Sequence, residues 1–298
     1  MGSQTVVRRV QVYRNFSQEE LDREYDNLEK VANADKIIET WKKKGEQVSS
    51  LLSCQLNIRY GQHDRQALDI FPANSAGGPV LAFIHGGYWC RQDKSIARFL
   101  APLYVAAEIN FVCVGYRLCP EVAIGDVVAD IRSALGWLYK NAKKFGGNGN
   151  KLYVAGHSAG GHLAAVMCGP LGPGPEYLKG GCSISGLHDL EPIRLSFLNS
   201  SLSLSQEEAR RLSPIWLSQE RGADDIEYPP LIIAVGSTEG SEYMRQSNQL
   251  ESALRKAGQP TNSLKIENGN HFSACEAFAD PSSSLSDAML RLIFSPRF

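Results

Sequence analysis

The sequence predicts an α/β fold in which a mostly parallel central sheet carries helices on both faces and a cap insertion. From residue 79 onward apolar runs recur, each followed by a loop and usually a helix-like stretch: "PVLAFIHGG", "FVCVGYRL", "KLYVAGHS", "GCSISG", "PPLIIAVGS" and "SLKIEN". The runs are apolar at successive positions, so both faces must be buried, as a parallel sheet covered on both sides requires. Their spacing leaves room for crossover helices, and no internal repeat appears.

The elements follow in order. Residues 17–48 are rich in Glu, Lys and Asp, with Leu21, Tyr25, Leu28 and Val31 at helical spacing; this predicts one or two surface helices within an N-terminal helical segment, 1–50. "CQLNIRYGQHDRQALDIF" reads as two short strands around a polar turn, Gly61 to Asp64, giving the sheet an antiparallel edge. Helical patterns fall at 126–142, 159–168, 243–257 and 284–294. The stretch 189–228 is Ser-rich, helix-prone in its middle and placed between two strand candidates. It predicts a cap-like excursion over the carboxyl edge of the sheet, with Asp224 and Asp225 as solvated charge. All 298 residues are read as a single domain.

Composition excludes several function classes. The 31 basic residues nearly balance 32 acidic ones, for a formal charge of -1, whereas nucleic acid or an anionic membrane surface calls for clustered positive charge. The first twenty residues hold no apolar run long enough for a signal peptide, and no later segment reaches a membrane span. Position 6 is Val, where an N-myristoylation signal wants Ser or Thr. The seven cysteines include no C-x-x-C pair and mostly sit in apolar runs, which predicts reduced core thiols in a cytoplasmic protein and no metal site.

The chemistry centres on "VAGHSAGGHL", residues 154–163. A strand entering G-x-S-x-G and leaving as a helix makes a turn so tight that Gly156 and Gly160 must lack side chains, which raises Ser158 as a nucleophile. A serine hydroxyl near neutral pH needs a base, and the base an orienting acid, in the chain order Ser, acid, His. Of six histidines, His271 stands alone in a loop after the last strand candidate and is the expected base. Glu239 is the first carboxylate past "PPLIIAVGS" and the expected acid, with Asp189 after the sixth apolar strand as its rival. Glu242 reads as part of a first helical turn. Oxyanion donors are expected from the amide of Ala159 and from Gly86 and Gly87 in "HGGYW". In that motif His85 reads as a loop brace, while Tyr88 and Trp89 either line the pocket or pack beneath the cap.

"HGGYW", "GYRLCPE" and "GHSAGGHL" together resemble the hormone-sensitive-lipase-like esterases of the α/β hydrolases. With "SGLHDLEPI", "LSP" at 212–214 and "EGSEYMRQS" ahead of "NHF", the chain more narrowly resembles the kynurenine formamidases (arylformamidases), from about residue 20 to the last helix. The resemblance implies an α/β-hydrolase fold and hydrolysis of N-formyl-L-kynurenine to L-kynurenine and formate in tryptophan catabolism. It also implies a small-molecule substrate, no cofactor, and a catalytic set of Ser158, Glu239 and His271 with Gly86, Gly87 and Ala159 as oxyanion hole. Where such relatives are expected to carry D-S-P-E-F, this chain has E-G-S-E-Y, so the acid is Glu rather than Asp. A homodimer is admitted but not required. The competing expectations are a general short-acyl carboxylesterase and a non-catalytic binding module of the same fold.

Overall fold

Each apolar run becomes a strand of one eight-stranded sheet in the computed structural model, which describes residues 10–174, 176–218 and 227–295. Val6, Asp224 and Asp225 lie outside the described residues. Among its described residues the N-terminal segment forms three helices rather than one or two: α1 (Gln18–Tyr25), α2 (Asn27–Lys30) and α3 (Ala34–Leu51). A capping box of Ser17 and Glu20 opens α1. Asp26 ends α1 and caps α2 with its side chain, so the helical repeat is broken there. Leu21 and Tyr25 are consequently buried, whereas Leu28, which continues the same spacing, is 42% exposed.

Next come β1 (Gln55–Arg59) and β2 (Ala67–Phe71), paired antiparallel around the expected turn. The remaining elements alternate. They are β3 (Gly78–Ile84), α4 (Ala101–Ala106), β4 (Asn110–Val114), α5 (Ile124–Asn141), β5 (Gly147–His157), α6 (Ala159–Met167) and β6 (Leu178–Ile184). Among its described residues the excursion after β6 folds into four short helices, α7 (Glu191–Leu195), α8 (Asn199–Leu202), α9 (Gln206–Leu212) and α10 (Pro214–Leu217). The chain closes with β7 (Leu231–Gly236), α11 (Ser241–Lys256), β8 (Thr261–Ile266), α12 (His271–Glu276) and α13 (Ser284–Phe294).

The strand order is β1-β2-β4-β3-β5-β6-β7-β8, antiparallel at β1–β2 and β2–β4 and parallel elsewhere. Alternate residues of β3 serve opposite layers: Val80, Ala82 and Ile84 pack with Val127, Ile131 and Leu135 of α5, while Leu81 and Phe83 pack with Leu285, Met289 and Leu292 of α13. Each of these side chains larger than alanine contributes about 1.5–3 kcal/mol of apolar burial. Two helical layers thus hold the carboxyl ends of the parallel strands, where loops converge.

Four fully buried histidines impose a pH dependence on this fold. Burial lowers His85 and His162 to about 4 and His188 to about 3, and holds His157 well below its ordinary value. The unfolded chain therefore binds more protons than the folded one between pH 6.5 and the folded values, so stability is lost as pH falls below 6.5. Summed over His85, His162 and His188, the loss from pH 7 to 5.5 is roughly 4 kcal/mol, or about 6 °C of Tm, and His157 acts in the same direction. Thermal melts at the two pH values check this; an unchanged Tm would show that these rings take up protons without unfolding.

Candidate active site

The turn between β5 and α6 places Ser158 at φ 59°, ψ -119°, a backbone conformation that costs a non-glycine residue about 1–3 kcal/mol. The surrounding packing enforces it. A Cβ on Gly156 would lie 2.2 Å from the carbonyl oxygen of Gly160, and one on Gly160 would lie 2.0 Å from that of Ile84. The Ser158 amide donates to the carbonyl of Ile184 at 2.8 Å, pinning the turn to the end of β6. Ala159 is the first residue of α6, so its amide has no partner within the helix, and the helix N-terminus favours negative charge there.

His271 is not in a loop, as its isolation in the sequence led one to expect; it is the first residue of α12. Asn270 caps that helix by accepting from the amides of Phe272 and Ser273, which fixes where the imidazole starts. Its Nδ1 lies 2.6 Å from Oε2 of Glu239. The other carboxylate oxygen accepts from Ser185 Oγ at 2.5 Å and from the Gly236 amide at 2.6 Å. With three donors on a buried carboxylate, the ring presents Nδ1–H to Glu239 and leaves the Nε2 lone pair for a proton. His157 donates its Nε2–H to the His271 carbonyl at 2.8 Å, and burial keeps this second imidazole neutral.

Ser158, His271, Gly86 and Gly87 line one cavity of about 490 Å³. Gly86 approaches so closely that a Cβ would lie 3.0 Å from the Ser158 Cβ, and Gly87 adopts φ +104°. His85 stacks on Tyr116 at 4.2 Å and donates Nδ1–H to the Gly86 carbonyl at 2.8 Å, bracing this loop. The two aromatic residues of the motif diverge. Tyr88 lines the cavity and donates to the Tyr25 carbonyl at 2.6 Å, while Trp89 is fully buried edge-on to His162. The rival acid, Asp189, accepts from Arg245 at 2.9 Å and from Tyr13 at 3.1 Å. Glu242 stands in the first turn of α11 but is buried, paired with Arg245 at 2.7 Å.

The cavity wall departs from the sequence reading. The excursion after β6 supplies Phe197 and Leu198, whereas Tyr25, Asn27, Leu28, Ile38 and Trp41 come from the N-terminal helices. Those helices are a wall of the site as well as a surface. Phe83, Ile96, Phe99 and Phe272 extend its apolar lining, and Asp26, Glu29, Asp35, Lys42 and Arg91 place both signs of charge along it. Sequence reasoning also missed Ser185; its place just beyond β6, beside the turn beyond β7, was the available signal.

Among the described residues no group of three or more His, Cys, Asp or Glu is arranged to hold a metal ion, and no helix is long and apolar enough to cross a membrane.

Comparison with known proteins adds kinship to geometry. Residues 81–274 match the family model described as alpha/beta hydrolase fold. Kynurenine formamidase of Danio rerio is 28% identical over 94% of this chain and 98% of its own length. Isoprenylcysteine alpha-carbonyl methylesterase of Arabidopsis thaliana is 29% identical over 68% of this chain and 52% of its own. Among solved structures, a candidate thioesterase of Silicibacter sp. TM1040 superposes with a TM-score of 0.79 at 28% identity, covering 90% of this chain and 98% of the other. An inhibited esterase B of Lactobacillus rhamnosis gives 0.68 at 18%, covering 87% and 94%, a likeness of fold alone.

Proposed function

The chain belongs to the α/β-hydrolase-fold family, and on that premise we propose that it is a cytoplasmic serine hydrolase, free of cofactor, that cleaves N-formyl-L-kynurenine to L-kynurenine and formate in tryptophan catabolism. The observation that carries the reading is that His271, paired with Glu239, lines the same cavity as the strained Ser158. His271 takes the Ser158 proton on Nε2 as Oγ attacks the formyl carbonyl. The amides of Gly86, Gly87 and Ala159 receive the oxyanion. Collapse leaves a formyl-serine while His271 protonates the departing arylamine nitrogen. Water, activated by the same imidazole, then releases formate.

The likeness to the Danio rerio kynurenine formamidase over nearly both whole chains supports this substrate. So does the lining. A formyl group needs almost no acyl pocket, Trp41, Phe99 and Phe272 give the cavity an aromatic wall against which an aryl ring can pack, and the charged wall residues suit an ammonium and a carboxylate. On one preparation, kcat/KM for N-formyl-L-kynurenine, followed by kynurenine release, should exceed that for p-nitrophenyl acetate. The apolar lining also favours a second reading, a short-acyl carboxylesterase, and a large excess for the ester would decide for it.

A further inference from the structure

We infer that Lys30, acting with Glu24 from the N-terminal segment, is a positioning residue that clamps the turn carrying Glu239; the inference rests on the serine-hydrolase reading above. Lys30 Nζ donates to the carbonyl oxygen of Glu239 at 2.5 Å and to that of Glu24 at 2.9 Å, and lies 3.8 Å from Glu24 Oε2. Glu24 Oε1 in turn accepts from the Glu242 amide at 2.8 Å and from Ser241 Oγ at 3.4 Å. These are groups in the first turn of the 16-residue α11, whose amides have no partner within the helix.

Between the two grips lies Gly240 at φ +119°, where a Cβ would meet Glu24 Oε1 at 2.6 Å and Lys30 Nζ at 2.7 Å. Glycine leaves the turn free to swing through conformations closed to other residues, so its course must be set from outside. Lys30 and Glu24 occupy the space a side chain would have filled. The ammonium also stands 5.7 Å over the ring of Tyr243, whose centroid is 5.0 Å from that of His271. It therefore touches the turn of the acid directly and stands one ring away from the imidazole.

A second cavity, of about 400 Å³, opens beside Lys30, Thr238, Glu239 and Asn270, so no packed side chain stands ready to replace the ammonium. Burial lowers the Lys30 pKa while the Glu24 and Glu239 carboxylates oppose that shift. Neither Lys30 nor Glu24 falls within residues 81–274, so the family match does not include the clamp. Ser185 and Gly236 still hold one oxygen of Glu239 without it. What the clamp adds is the direction of the main chain, and through it the aim of Oε2 at the imidazole.

Turnover of p-nitrophenyl acetate and labelling by a fluorophosphonate test this on wild type, Lys30→Met, Lys30→Arg and a charge control, Lys36→Met. Misplacing a catalytic group by about 1 Å costs up to about 10²-fold, so Lys30→Met should lose roughly 10- to 100-fold in kcat with KM within about twofold. Lys30→Arg should recover most of the loss, and Lys36→Met should lose nothing. If Lys30→Met does not fold, Lys30→Gln carries the same comparison. A Lys30→Met enzyme within about twofold of wild-type kcat, a loss confined to KM, or a loss that Arg does not restore overturns the clamp alone. Wild-type protein inert to ester and probe alike overturns the hydrolase reading and the clamp with it.

Discussion

Ser158→Ala should lower kcat toward formamide and ester alike by at least about 10⁴-fold, the scale of nucleophile removal in serine hydrolases. The loss is chemical. Alanine keeps the Cβ and the backbone at φ 59°, and the Ser158 amide bond to Ile184 does not involve the hydroxyl. Melting temperature should therefore stay within a few degrees of wild type, as expected for loss of one hydroxyl at a cavity. Residual hydrolysis from the oxyanion donors and the imidazole can survive such a change. Near-normal turnover by this variant, with either substrate, would remove Ser158 from the mechanism.

Glu239→Gln should lower kcat by roughly 10³- to 10⁴-fold, because an amide cannot serve the three donors now facing the carboxylate. If the amide group turns toward His271, it donates to Nδ1, the ring proton moves to Nε2, and the imidazole can no longer accept from Ser158. If it turns the other way, it confronts the Ser185 hydroxyl and the Gly236 amide with a donor. Asp189→Asn should behave differently, since Asp189 serves Arg245 and Tyr13 rather than an imidazole. It should cost about 1–3 kcal/mol of stability with kcat within a few-fold of wild type. Parallel kcat measurements and melts on the two variants decide between the acids. Loss of turnover only in Asp189→Asn would transfer the role.

The parts of the fold that were legible are those whose signal is local. Runs such as 80–84 and 231–235 bury every residue, and that requirement is written in consecutive apolar side chains. The turn from β5 to α6 was equally plain, because a Cβ on either of its glycines would lie 2.2 Å or less from a backbone oxygen. The segment Lys94–Ala106 was not read as helical. It is a 3₁₀ stretch running into α4 with Pro102 near the junction, and that change of pitch blurs the apolar period. Within the site, Ser158, Glu239 and His271 could be named because they sit at ends of predicted elements. Tyr243 and Lys30 could not, because their partners lie far off in the chain. The N-terminal helices hid their role for the same reason: their charge-rich sequence describes the outer face, while Tyr25 and Asn27 work inward through bonds to Glu242 and Tyr243.

Those inward bonds set a schedule. Tyr13, Tyr25, Asn27 and Lys30 join partners 176, 217, 216 and 209 positions later in the chain. At a synthesis rate of about 5–20 residues per second, the early helices wait roughly 10 to 50 s before those partners exist. Throughout that interval they must stay in solution with one face unclaimed, and the Glu, Lys and Asp that made them look like mere surface keep them there. The cavity is accordingly completed only once β7 and α11 exist, long after these helices have been made.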